Sequence, residues 1–126
     1  MIVDEIRHFL DSYFDVLQNQ DLVLFDRVFH RDCVLYSQQD GVTVVRPLPE
    51  YRKIVEGRKS PLSGGFERSD EVLMIDVLSQ EMALAKVRLR LFDNTVVDYL
   101  NLMKIDGRWQ IVAKHVHRAG SAIATN

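Results

Sequence analysis

The sequence predicts an α+β fold in which helices pack on one face of a curved antiparallel β-sheet. Apolar residues recur every three to four positions in the first third of the chain, whereas everything from Phe66 onward reads as strand. The turn signals Asp93-Asn94 and Asp106-Gly107 cut that later half into segments that can pair with their neighbours. At 126 residues the chain is long enough for one core and too short for two, so a single domain over residues 1–126 is expected.

The elements follow in order. In "DEIRHFLDSYFDVLQN", residues 4–19, Ile6, Phe9, Leu10, Tyr13, Phe14 and Leu17 form one apolar stripe, with Asp4 as a candidate N-cap. Asp21 is placed to cap a second helix, "LVLFDRVFH", with His30 near its C-terminal end. "CVLYSQQDGVTVV" reads as a hairpin about Asp40-Gly41. "LPEYRKIVEGR" is a third short helix, with Pro49 in its first turn and Gly57 at its end, and "KSPLSGG" is a loop. Four strands complete the chain: "FERSDEVLMIDVL", "MALAKVRLRLF", "TVVDYLNLMKI" and "RWQIVAKHVHR".

Alternation then assigns faces. A two-residue turn at Asp106-Gly107 pairs Ile105 with Arg108, and uninterrupted counting sets Leu102 against Ile111, Leu100 against Ala113, Asp98 against His115 and Val96 against His117. A turn at Asp93-Asn94 adds Ala83, Ala85, Val87, Leu89 and Leu91 to the same, mostly aliphatic face. The opposite face receives Tyr99, Val97, Val112, Lys114 and Val116 with Lys86 and Arg88. Asp98, His115 and His117 are thus expected together on the core side. A β-bulge in either strand would exchange the faces beyond it.

Composition narrows the function classes. Apolar residues make up 47% and charged residues 27%, and the net charge of −2 gives no basic footprint for nucleic acid or anionic membranes. No apolar run approaches the ~20 residues that span a bilayer. The N-terminus lacks the basic-then-apolar order of a secretory signal, and Cys33 is the single cysteine. A cytoplasmic protein is the simplest expectation.

Taken together, "YFDVLQNQD…LFDRVFHRDCVLYSQQDG", "YRKIVEGRKSP" and "ALAKVRL…VVDYLNLMKIDGRWQIVAKHVHR" resemble the nuclear-transport-factor-2-like superfamily, also described as SnoaL-like. The branch named "putative lumazine-binding" is the most similar, over nearly the whole chain. The resemblance implies a cone-shaped, cystatin-like fold. A strongly bent sheet wraps around the N-terminal helices, enclosing a pocket open at one end, and the outer sheet face joins two copies in a homodimer. It does not imply an activity, because the superfamily holds isomerases, dehydratases and cyclases beside non-catalytic members. The branch name is a label, and lumazine is not implied as the ligand.

Three functions compete. The first is a small-molecule-binding protein with an apolar pocket. Tyr13, Phe14, Leu17, Phe29, Tyr36, Arg58, Trp109 and His117 are its candidate ligand contacts, although helical and strand spacing makes plain core the default for most of the aromatics. The second is a cofactor-independent isomerase, dehydratase or cyclase, with Asp98 as general base and His115 positioning it or carrying the proton. The third is a non-catalytic subunit that associates through Leu84, Phe92, Val97, Tyr99, Val112 and Val116. Arg46, Tyr51 and Arg58 flank the third helix, where they could hold an anionic group or form surface ion pairs. His115-x-His117 has strand spacing for a metal with Asp98 as third ligand, yet two imidazoles and one acid are a thin signal, and no metal or cofactor is expected. Neither a nucleophile elbow nor a phosphate-binding loop is present.

Overall fold

The computed structural model describes residues 1–122. Two helices, α1 (Ile2–Asn19) and α2 (Leu22–Val28), lead into a hairpin of β1 (Phe29–Gln39) and β2 (Val42–Pro47). Helix α3 (Leu48–Gly57) follows, then β3 (Asp70–Val77), β4 (Met82–Leu91), β5 (Asn94–Ile105) and β6 (Arg108–Ser121). The six strands form one sheet in the order β2-β1-β6-β5-β4-β3. Among the described residues no helix is long and apolar enough to cross a membrane.

The sheet is mixed rather than purely antiparallel. β1 runs parallel to β6, with Val34, Leu35 and Tyr36 beside Ala113, Lys114 and His115. These strands are joined through most of the chain, so no local turn dictates their direction, and a parallel pair needs such a long connection. All other neighbours are antiparallel.

Local chemistry explains most boundaries. Asp21 caps α2, its Oδ1 accepting from Val23 N at 2.9 Å and Leu24 N at 3.3 Å. The stripe expected on α1 is buried at Ile6, Leu10, Tyr13, Phe14 and Leu17. That helix begins two residues before Asp4, which lies in its first turn instead of capping it. Asp40 and Gly41, at φ 52° and 77°, make the β1–β2 turn, and Asp106 and Gly107, at 51° and 78°, make the β5–β6 turn. Positive φ at both central positions gives the twist that hairpin strands share. His30 differs from expectation: α2 ends at Val28 and His30 belongs to β1, where its Nδ1 accepts from Asp32 N at 3.1 Å.

Two hairpins depart from the expected register, with opposite consequences. β4 and β5 turn at Phe92-Asp93, one position earlier than Asp93-Asn94, so that Leu91 pairs with Asn94 and Val87 with Asp98. Pairing Val87 with Asp98 in place of Leu100 slides the strands by two residues, which leaves every side chain on its face. Ala83, Ala85, Val87 and Leu89 are accordingly buried with Leu100 and Leu102. β6 behaves differently. Its pairing runs as expected from Ile105–Arg108 to Leu102–Ile111, then jumps so that Asn101 meets Ala113 and Leu100 meets Lys114. Val112 is the extra residue of a bulge, and beyond it the faces exchange.

Candidate functional site

The bulge decides what stands beside Asp98. Asp98 pairs across β5–β6 with Val116, not His115, while Lys114 pairs with Leu100 on the core side. Burial follows the same switch: Trp109, Ile111 and Lys114 are buried, Val116 is half-buried, and His115 and His117 are exposed. The expected Asp98–His115 pair is therefore not assembled. The two groups lie on opposite sheet faces, and the triad of Asp98, His115 and His117 is dispersed for the same reason. No group of three metal-ligating side chains occurs among the described residues.

The imidazole's expected place is taken by an ammonium. Lys114 is 3% exposed and Asp98 is fully buried, with Nζ 3.7 Å from Asp98 Oδ2. Tyr13 donates its hydroxyl to the same oxygen at 2.5 Å. Three rings surround the ammonium: Tyr13, Tyr51 and Phe29, with centroids 5.0, 5.6 and 5.9 Å from Nζ. The negative faces of the rings and one carboxylate replace the water the cation has lost. Burial holds the Tyr13 phenol well above its ordinary value of 10.0, and the Asp98 charge reinforces the shift. Asp98 Oδ1 is buried and has no hydrogen-bond partner.

Asp98 and Lys114 of this cluster form the floor of a cavity of about 270 Å³ between α1, α3 and the sheet. Its apolar wall includes Leu17, Leu35, Leu89, Leu91, Val96 and Val116, and its charged groups are Asp98, Lys114, Arg46 and Arg58. Tyr51 also borders it. The volume is near the lower end of the ~300–1,000 Å³ common for small-molecule sites. The segment after α3 is pinned on α1, which places Arg58: Leu62 N donates to Gln18 O at 3.0 Å, and Gln18 Nε2 to Phe66 O at 3.1 Å.

The remaining candidates separate into groups. Leu17 and Arg58 line the cavity as expected. Tyr13 and Phe29 act on it through Lys114, while Phe14 and Trp109 are core residues. Tyr36 borders the cavity, but its ring lies 5.8 Å from that of His115, edge to face, on the outer side of the sheet. His117 also lies outside, in a groove with Val45 and His115. Lys114 is the residue that alternation misplaced. The run Ile111-Val112-Ala113, three apolar residues in a row, is the sequence signal of a broken alternation there.

Comparison with known proteins places this geometry in a lineage. The family model described as "Putative lumazine-binding" matches residues 2–117. No curated protein sequence matches the chain. Among solved structures, an NTF2-like protein of unknown function from Shewanella baltica superposes with a TM-score of 0.79 at 18% identity, over 97% of this chain and 94% of that one. A cystatin-like fold protein from Burkholderia xenovorans gives 0.72 at 17% identity, over 99% and 94%. A ketosteroid isomerase-like protein from Erwinia carotovora atroseptica gives 0.69 at 13%, over 93% and 95%. At these identities the likeness is one of fold.

Proposed function

The chain belongs to the putative lumazine-binding family, whose fold is nuclear-transport-factor-2-like, and from that premise we propose that it binds a small molecule in the cavity above Asp98 and Lys114. One observation carries the reading: a mostly apolar hollow ends on a buried carboxylate with one oxygen left unbonded. Burying a charged pair costs several kcal/mol per ion, and hydrophobic residues of similar volume would fold as well or better. A polar floor with an unused acceptor suits a ligand that brings an apolar body and one donor.

The test is a thermal-shift and ligand-observed NMR screen of compact apolar fragments against the native chain and Val116→Trp, which fills the hollow from its wall. Binding to the native chain that Val116→Trp abolishes is the expected outcome. Fragments that bind both proteins alike, or neither, would contradict it. Asp98→Asn should weaken binding without eliminating it.

Acid–base catalysis is the second reading, favoured by the unbonded Asp98 Oδ1 and now resting on Asp98, Tyr13 and Lys114 in place of Asp98 and His115. It requires turnover that Asp98→Asn nearly removes while the fold persists.

The assembly we propose is a homodimer through the outer sheet face. One row crosses all six strands there: Val45, Tyr36, His115, Tyr99, Lys86 and Met74. Tyr36, Tyr99, Met74 and Val45 are 38%, 40%, 39% and 59% exposed, a run of large side chains in want of cover. Light scattering at micromolar concentration should give twice the chain mass. A monomer would refute the assembly.

A further inference from the structure

The charge balance of the cavity wall carries the inference, which rests on the small-molecule reading above. The charged side chains of the wall are three cations, Arg46, Arg58 and Lys114, against one anion, Asp98. Two of the cations are compensated: Lys114 by Asp98, and Arg46 by Glu50, whose Oε1 lies 3.3 Å from Arg46 Nε. Arg58 is not. Its Nε donates to Gln20 Oε1 at 3.3 Å, a neutral amide, and its guanidinium lies 5.2 Å from the centre of the Phe92 ring. Among the described residues no carboxylate pairs with it.

The hydrogen bonding at this junction is incomplete in a specific way. Arg58 Nη2 and Gln20 Nε2 are both covered and both without an acceptor. Arginine only donates, so the amide must turn its oxygen toward Nε, and the orientation of Gln20 is fixed. Nη2 shares the guanidinium edge with Nε, and Nε2 shares the amide with Oε1. The two orphan donors therefore belong to the same point of contact. Native structures seldom leave covered donors unbonded, because each one costs free energy.

The backbone around this point is held in uncommon conformations. Gln20 ends α1 at φ 53°, and Phe92 takes φ 56° in the β4–β5 turn, with its ring 5.4 Å from that of Phe66. Bulky residues rarely adopt positive φ. Here two of them do so where they flank one arginine.

We infer that the cavity takes a monoanionic carboxylate with a compact apolar body, its carboxylate held by the Arg58 guanidinium, its body lying on Leu17, Leu89 and Leu91, and a hydroxyl on that body donating to Asp98. A guanidinium on the wall of an apolar cavity with no carboxylate of its own is the planar partner that a carboxylate ligand prefers. Asp98 does not repel the ligand, since Lys114 neutralises it. Acetate would satisfy the donors but leave the apolar wall empty, so the acid and the body are both required.

The experiment is calorimetric titration of the full chain with 4-(hydroxymethyl)benzoate and 6-hydroxyhexanoate, each beside its neutral primary amide, and with acetate as the bodiless control. The expected result is at least about tenfold tighter binding of each carboxylate than of its amide, with no binding of acetate. Arg58→Gln should erase that preference by weakening the acids far more than the amides, Arg58→Lys should keep part of it, and Val116→Trp should block all of these ligands. Amides that bind as tightly as acids, or a preference that survives Arg58→Gln, would overturn the carboxylate assignment and leave the cavity reading standing. Failure of acids and amides alike would remove both. Carboxylate binding that persists in Val116→Trp would place the site outside the cavity and overturn the inference.

Discussion

The β4–β5 and β5–β6 hairpins share a strand, yet one keeps its faces and the other exchanges them. At β4–β5 the turn sits one residue early and the strands slide by two, so Val87 meets Asp98 and both still point to the core. At β5–β6 the turn is where Asp106-Gly107 puts it, and a single extra residue, Val112, brings Lys114 inward and sends His115 out. The comparison teaches that parity matters more than position in a sheet. An even slip moves neighbours along the strand, whereas one inserted residue replaces the chemistry of the site.

The largest effect should come from adding a second extra residue to β6. One alanine inserted between Ala113 and Lys114, with the Val112 bulge kept, would set Tyr99 against Lys114 and Asp98 against His115, turning the ammonium outward and the imidazole inward. We expect loss of the cooperative urea transition, or destabilisation above about 4 kcal/mol, an exceptional value for one position. Near-native stability would mean that the facing of Lys114 does not depend on strand parity. Lys114→Met comes next: it leaves the Asp98 charge buried without its ion-pair partner, at a cost of about 3–5 kcal/mol by urea denaturation. A loss below about 1 kcal/mol would count against a buried pair.

Alkaline pH tests the same interior from another side. Burial lifts the Cys33 thiol from 9.0 to about 11, against a smaller opposing pull from Lys114, and Tyr13 is raised as well. Both groups are neutral in the fold and ionise more readily once unfolded. Their contribution is complete below the unfolded values and is lost as pH rises through the folded ones. For Cys33 that window is from pH 9 to about 11, and the Tyr13 window begins near 10 and extends higher. The urea midpoint should therefore hold to pH 9 and fall beyond it, and a disulfide reagent at pH 8 should label Cys33 only as the chain unfolds. Rapid labelling of the native protein would show the thiol to be accessible. The smallest effect belongs to the outer face away from the proposed dimer row: His117→Ala should change stability by no more than about 0.5 kcal/mol.

Much of this was legible beforehand, and the gaps have physical causes. Asp21 as a cap, the two positive-φ turns and the aliphatic face of β4 follow from local rules that the residues themselves satisfy. Asp98 faced inward as alternation required, because every residue between it and the Asp106-Gly107 turn is regular on β5. Lys114 could not be placed the same way, since its facing depends on a bulge five residues beyond the turn, marked only by Ile111-Val112-Ala113. The parallel seam between β1 and β6 was equally out of reach, as it joins segments far apart in sequence. Arg58 was visible as a cation near α3. Its missing acceptor emerges only when Gln20 and Phe92 are brought to it.

A double-mutant cycle addresses the exchange of faces most directly. Asp98→Asn is combined first with Lys114→Met and then with His115→Ala, and stability is measured by urea denaturation. The account predicts a coupling of at least about 1 kcal/mol between Asp98 and Lys114, and none beyond about 0.5 kcal/mol between Asp98 and His115. Coupling to His115 with none to Lys114 would contradict it.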